Sequence, residues 1–162
     1  YVEGHGMEPD FLQKVLDTSK KLFDLPLNEK EKLSDKVMSR GYTAMEEETL
    51  DPANQTRGDT KEGFYIGRDV PKDDPKYNPA KLTGPNQWPS QEASPSMDDP
   101  EGFKRVMEEY FDRASETCLK LVQLLAVAIG LEDEHYFDSH FEEPLAVLRL
   151  LHYAPVFSDP NK

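Results

Sequence analysis

Residues 100–129 read PEGFKRVMEEYFDRASETCLKLVQLLAVAI, and the reading of this stretch decides the fold class. Its pattern predicts one long amphipathic helix. Asp98 and Asp99 precede it with side-chain oxygens for an N-cap, and Pro100 suits the first helical position, where no amide donor is needed. Phe103, Val106, Met107, Tyr110, Ala114, Cys118, Leu121, Val122 and Leu125 recur at helical spacing, with Lys104, Arg105, Glu108, Glu109, Asp112 and Arg113 on the other face. Gly130 follows, a residue suited to a left-handed helix stop. At ~1.5 Å per residue such a helix is about 45 Å long. It grows more apolar toward its C-terminus. That end is expected to be buried on several sides, with Tyr110, Leu121 and Leu125 facing inward, under a cover that this chain supplies only in part.

Outward from this helix the pattern alternates between short elements and turns. Glu8-Pro9-Asp10 can open a helix whose apolar side carries Phe11, Val15, Leu16, Leu22 and Phe23. Leu25-Pro26-Leu27 interrupts it, and Asn28 is expected to cap a short helix through Leu33. The pattern weakens from Arg40 to Asp59, where Gly41, Pro52, Asn54 and Gly58 fall. Phe64-Tyr65-Ile66 reads as a strand ending at Gly67. The proline-rich stretch from Asp69 to Met97 is a long loop that either packs over something or moves. After the long helix, Glu132–Phe137 is expected to form a short helix. Ala146–Tyr153 is the best strand in the chain. Tyr1-Val2 looks like the end of another strand, and Ser158–Asn161 reads as a turn. Too few strands are legible to make a sheet for Ala146–Tyr153, so its partners are expected beyond Lys162.

The formal net charge of −13 disfavours nucleic acid and anionic membrane surfaces as partners, because phosphate contacts need Lys/Arg patches. The single cysteine, Cys118, excludes an internal disulfide and a cysteine-cluster metal site. Its place on the apolar helix face predicts a buried, inert thiol. There is neither a signal-peptide pattern nor an apolar run of membrane-spanning length, so a cytoplasmic protein is expected. The chain opens without an initiator Met on what looks like a strand end, which reads as a fragment.

Several segments, taken in order, resemble the iron(II)/2-oxoglutarate-dependent dioxygenases of the isopenicillin N synthase-like type. Tyr1-Val2-Glu3-Gly4-His5-Gly6-Met7 is similar to that family's Tyr-Val-x-Asn-His-Gly-Ile, with Gly4 in place of Asn. Phe23–Lys32 resembles its Phe-x-Leu-Pro-x-Glu-x-Lys segment. Arg40-Gly41-Tyr42, Asp59–Phe64, Asn86-Gln87-Trp88-Pro89, the long helix and Leu148-Arg149-Leu150-Leu151-His152-Tyr153 then follow in the family's order.

The resemblance implies an α+β fold, in which an N-terminal helical region with one long helix leads into the first strands of a double-stranded β-helix, or jelly roll. Residues 1–145 would form the N-terminal region. Residues 146–162 would begin the truncated β-helix core, and the chain would require the missing C-terminal barrel as its partner. The implied cofactors are Fe(II) and 2-oxoglutarate. The implied reaction couples oxidative decarboxylation of 2-oxoglutarate to hydroxylation, desaturation or another oxidation of a small molecule. Iron in this family is held by a His-x-Asp and a distant His, leaving open positions for oxygen and co-substrate. An Arg-x-Ser pair takes the 2-oxoglutarate carboxylate. All of these lie downstream of the strand matched by Leu148–Tyr153, so no metal ligand and no catalytic residue is assigned within this chain, which is expected to be inactive alone.

The resemblance places Tyr153 near the 2-oxoglutarate tail, where a phenol can donate to a carboxylate, although Leu151 stands where many relatives carry Asn. Core packing of Tyr153 is the equal alternative. Arg40 and Tyr42 match residues that border the substrate in relatives; a guanidinium suits a carboxylate, and a turn built on Gly41 is the alternative. Arg149 is read first as a salt-bridge partner and second as a polar group beside Tyr153. Trp88 is expected to anchor the long loop, and the His5 ring to bond backbone groups in its turn. His140-Phe141-Glu142 matches a bare His-x-acid pattern but precedes the strand, so a solvated surface is the reading for it. The rival to an enzyme is a non-enzymatic helical protein-interaction module with a self-contained core.

Overall fold

The structure, a computed structural model, describes residues 2–49, 51, 53–54 and 58–155. Tyr1 and the Ser158–Asn161 turn therefore lie outside the described residues, and Val2 lies outside any strand. The elements run α1 (Pro9–Phe23), α2 (Leu27–Glu31), β1 (Ser34–Asp35), β2 (Arg40–Thr43), β3 (Lys61–Gly67), α3 (Pro100–Ala128) and β4 (Val147–Tyr153). The strands form one antiparallel sheet in the order β1-β2-β3-β4. The described residues are thus α+β, with helices on one face of the sheet.

α3 begins as its sequence implies. The Asp99 carboxylate accepts from the Gly102 amide at 2.8 Å, Pro100 takes the first turn, and Gly130 follows the end of the helix at φ +88°. Its first half is the core. Phe103, Val106 and Met107 pack with Val15 and Leu22 of α1 and with Phe64, Ile66 and Leu150 of the sheet. The Phe103 ring meets Phe64 edge-on at 5.9 Å. Its second half is open, as a cover supplied only in part by this chain implies, but Leu125 and Cys118 do not face inward as expected. Leu125 is 59 % exposed, Leu124, Val127 and Ile129 are exposed too, Cys118 lies open, and Tyr110 and Leu121 are only half-buried. The reason is reach: α1 spans about 22 Å at 1.5 Å per residue and runs beside only part of a helix nearly twice as long. Among the described residues no helix is long and apolar enough to cross a membrane.

Two strands correct the sequence reading. Arg40–Thr43 is an inner strand of the sheet, although its local pattern suggested a turn. Gly41 holds φ +74°, and a Cβ there would lie 1.7 Å from the Leu33 carbonyl oxygen, so only glycine lets β2 pass this close to the end of α2. β4 finds its partner within the chain: it pairs with β3 from Lys61↔Tyr153 to Gly67↔Val147. Elsewhere the differences are small. α2 starts at Leu27 behind Pro26, and residues 132–137 form turns leading into a single 3-10 turn at Asp138–His140.

The long loop after β3 is packed down. Asn86 grips the end of β3 through both amide groups, accepting from the Gly67 N–H at 2.9 Å and donating to its carbonyl at 2.8 Å. Trp88 anchors the loop as expected, edge-on to Phe103 at 6.3 Å with Nε1 donating to Asp69 at 2.8 Å. Buried Glu29 of α2 accepts from both the amide and the hydroxyl of Ser96.

One buried carboxylate joins the layers. Glu62 of β3 accepts from Lys30 Nζ of α2 at 2.7 Å, from the Tyr42 hydroxyl of β2 at 2.5 Å and pairs with His152 Nδ1 of β4 at 2.8 Å. Lys30 also donates to the Phe23 carbonyl at the end of α1. Burial pushes the Glu62 carboxyl up, but Lys30, Tyr42 and His152 outweigh it and hold it below the usual carboxylate range. A folded-state value below the unfolded one means stability that is complete above the ordinary Glu range and is lost as pH falls through the folded value.

Two expectations follow from this packing. Met107→Ala should cost about 2–5 kcal/mol in urea denaturation, whereas Leu125→Ala should stay within about 0.5 kcal/mol in this chain; equal losses would contradict the half-covered helix. Glu62→Gln strands the Lys30 ammonium and should cost about 3–5 kcal/mol near pH 7. That deficit should shrink as pH falls below the ordinary Glu range toward the lower folded-state value, where wild type also protonates; a constant deficit across pH would contradict the charged pin.

Candidate functional site

Strand alternation gives β3 and β4 two distinct faces. Glu62, Phe64 and Ile66 of β3 and Leu148, Leu150 and His152 of β4 turn toward the helices. Lys61, Tyr65, Val147, Arg149, Leu151 and Tyr153 alternate to the other face. That face is the open one: Val147 is 45 %, Leu151 42 % and Tyr153 62 % exposed.

A polar cluster sits in the middle of the open face. Glu48, from the connection between β2 and β3, accepts from the Tyr65 hydroxyl and Arg149 Nη2, and pairs with Lys61 Nζ at 2.9 Å. Lys61 also pairs with Asp59. The register sets Tyr65 opposite Arg149, whose guanidinium lies over the Tyr65 ring at 4.9 Å. Burial raises the Glu48 carboxyl, yet hydrogen bonds from Tyr65 and Lys61 and the charge of Arg149 bring it below the ordinary range. The Tyr65 phenol, half-buried and donating to a carboxylate, is pushed up to about 12.

The sequence-proposed residues are dispersed over this sheet. Tyr153 stands at one end of the open face, opposite Lys61. Arg40 is 4 % exposed at the other end. Its Nη2 donates to the Leu82 carbonyl at 2.9 Å, its Nε has no protein partner among the described residues, and its guanidinium fills the space that a Cβ on Gly67 would need. Lys61 and Gly67 lie six residues apart on β3, so Tyr153 and Arg40 are separated by roughly 20 Å along the strand. Tyr42 is on the helix side and its hydroxyl is spent on Glu62; burial and that contact raise its pKa above the ordinary phenol value. Arg149 is a salt-bridge partner, its first reading, and pairs with Glu48. His5 Nδ1 accepts from the Met7 amide at 3.2 Å, the turn role read from the sequence. His135 pairs with Asp138 on the surface, and this contact raises the imidazole pKa. Among the described residues no three His, Cys, Asp or Glu side chains converge as a metal site requires.

Glu48, Glu62, Lys30, Tyr65 and His152 went unread as site-forming groups. The available signal was the pair Lys61-Glu62 opening an otherwise apolar strand: adjacent strand residues face opposite sides, so each charge needs a partner on its own face.

Residues 1–91 match the family model described as the N-terminal region of the non-haem dioxygenases in morphine synthesis. A 2-oxoglutarate-Fe(II) type oxidoreductase of Aspergillus fumigatus is 36 % identical over 157 residues, which is 95 % of this chain and 44 % of the relative. The 2-oxoglutarate-dependent dioxygenase citB of Monascus ruber is 34 % identical over 94 % of this chain and 44 % of its own length. A full-length Neurospora crassa protein, solved in complex with alpha-KG, superposes with a TM-score of 0.70 at 32 % identity, covering 91 % of this chain and 42 % of the Neurospora chain. The chain thus spans less than half the length of the relatives it matches. A match to the family model over more than half of the chain, with relatives of this similarity, shows that the chain belongs to the iron(II)/2-oxoglutarate-dependent dioxygenase family.

Proposed function

We propose that this chain provides the N-terminal part of an iron(II)/2-oxoglutarate-dependent dioxygenase that oxidises a small molecule by hydroxylation or desaturation. In this reading residues 146–162 open a double-stranded β-helix, and the metal ligands come from sequence downstream. The match over residues 1–91 carries the proposal. The described residues of this chain do not fit an iron site, so its own contribution is a surface that binds and orients.

On that surface Tyr153 projects from β4, and its phenol can donate to a 2-oxoglutarate carboxylate. Arg40 borders the substrate through its buried Nε, a donor with no partner among the described residues that an acceptor on the substrate would satisfy. Tyr42 acts less directly: with its hydroxyl held by Glu62, it fixes β2 beneath the site. A free base supports the small-molecule class, since the Neurospora protein is also solved with alpha-KG and thymine, at 31 % identity and a TM-score of 0.70.

Anaerobic calorimetric titration of the full-length protein with 2-oxoglutarate in the presence of iron(II) tests the proposal. Stoichiometric binding is expected, weakened by Tyr153→Phe about tenfold, as the loss of one hydrogen bond to a charged group implies. No binding by the full-length protein would overturn the function. Unchanged affinity in Tyr153→Phe would remove Tyr153 from the site.

A further inference from the structure

Glu48 reaches the open face from a connecting segment, whereas the groups that hold it belong to the sheet. Tyr65 and Arg149 are cross-strand neighbours, Lys61 lies on the same side of β3, and the guanidinium is seated over the Tyr65 ring. The Tyr65 hydroxyl and the Arg149 guanidinium converge on the Glu48 carboxylate, and the Lys61 ammonium is shared between Glu48 and Asp59. A planar guanidinium, a phenol and an ammonium directed at one point make a receptor for that chemistry, and the guanidinium offers paired N–H groups matched to a carboxylate.

We infer that Arg149, Tyr65 and Lys61 form a carboxylate-binding subsite on the open sheet face, and that Glu48 fills it from within the chain. Glu48 is thereby a specificity-determining residue. It neutralises the guanidinium and competes as a tethered ligand, with an effective concentration of order mM for a short connection. A substrate presenting a carboxylate at this point must displace it, so the face favours substrates that are neutral there. This selectivity rests on the reading that the open face borders the substrate. The subsite itself does not, and it can be tested without turnover.

The probe is propionate, which carries the end of a Glu side chain, compared with sodium chloride at equal ionic strength to cancel screening. The readout is the thermal midpoint of the full-length protein. Glu48→Ala is expected to have a lower midpoint that rises with the logarithm of propionate concentration, as a ligand bound only by the folded state requires. Wild type should respond no more to propionate than to chloride, and the double variant Glu48→Ala/Arg149→Met should lose the response. A Glu48→Ala midpoint that propionate leaves unmoved, or a response that survives Arg149→Met, overturns the inference. Should Glu48→Ala not fold, Glu48→Gln keeps the length of the side chain; an Arg149-dependent propionate response in it supports the subsite, and none overturns it.

Discussion

A carboxylate buried among apolar side chains is stable only if donors surround it, and Glu62 recruits those donors from three other elements. Lys30 brings α2 and, through the Phe23 carbonyl, the end of α1. Tyr42 brings β2, and His152 brings β4. The requirement to satisfy one group therefore sets the relative positions of the N-terminal helices and three strands. It also fixes which residues of β4 turn inward. With His152 held against Glu62, its neighbour Tyr153 must emerge on the opposite side. The chemistry proposed for the open face thus depends on a bond made behind it.

The two faces of the sheet solve the same electrostatic problem differently. Behind it, Glu62 is almost enclosed and its partners are pinned. In front, Glu48 is one-third exposed and comes from a connecting segment, so solvent competes for its partners. Apolar groups lie uncovered around this cluster and along α3: Val147, Leu151 and Tyr153 on the sheet, Leu124, Leu125 and Ile129 on the helix. At about 25 cal/mol per Å², covering a few hundred Å² of such surface contributes several kcal/mol. In the proposed reading that cover is the β-helix remainder.

Local chemistry was legible in the sequence; long-range pairing was not. The Asp99 cap, the proline start and glycine stop of α3, the Trp88 anchor and the His5 turn each depend on neighbours within a few residues or on one large side chain, and each reads directly. The order of short motifs carried the family. β2 was missed because four residues with a glycine in the left-handed region have no strand signature, and its place rests on contact with Leu33. β4 was read as a strand without a partner because pairing with β3 spans about 90 residues, as the Glu62–His152 contact shows. Leu125 and Cys118 were read as facing inward because amphipathicity reports which side would be covered, not whether a covering element is at hand.

Hydrogen exchange resolved along β4 tests the central claim, that Glu62 holds this strand to the rest of the sheet. Amides of Val147–Tyr153 that bond to β3 should be protected in wild type to the same degree as β3. In Glu62→Gln their protection should fall by more than that of β2 and the first half of α3. If β4 exchanges at the unfolded rate in wild type, or keeps its protection when Glu62 loses its charge, the pin does not hold the sheet and the account of the open face fails with it.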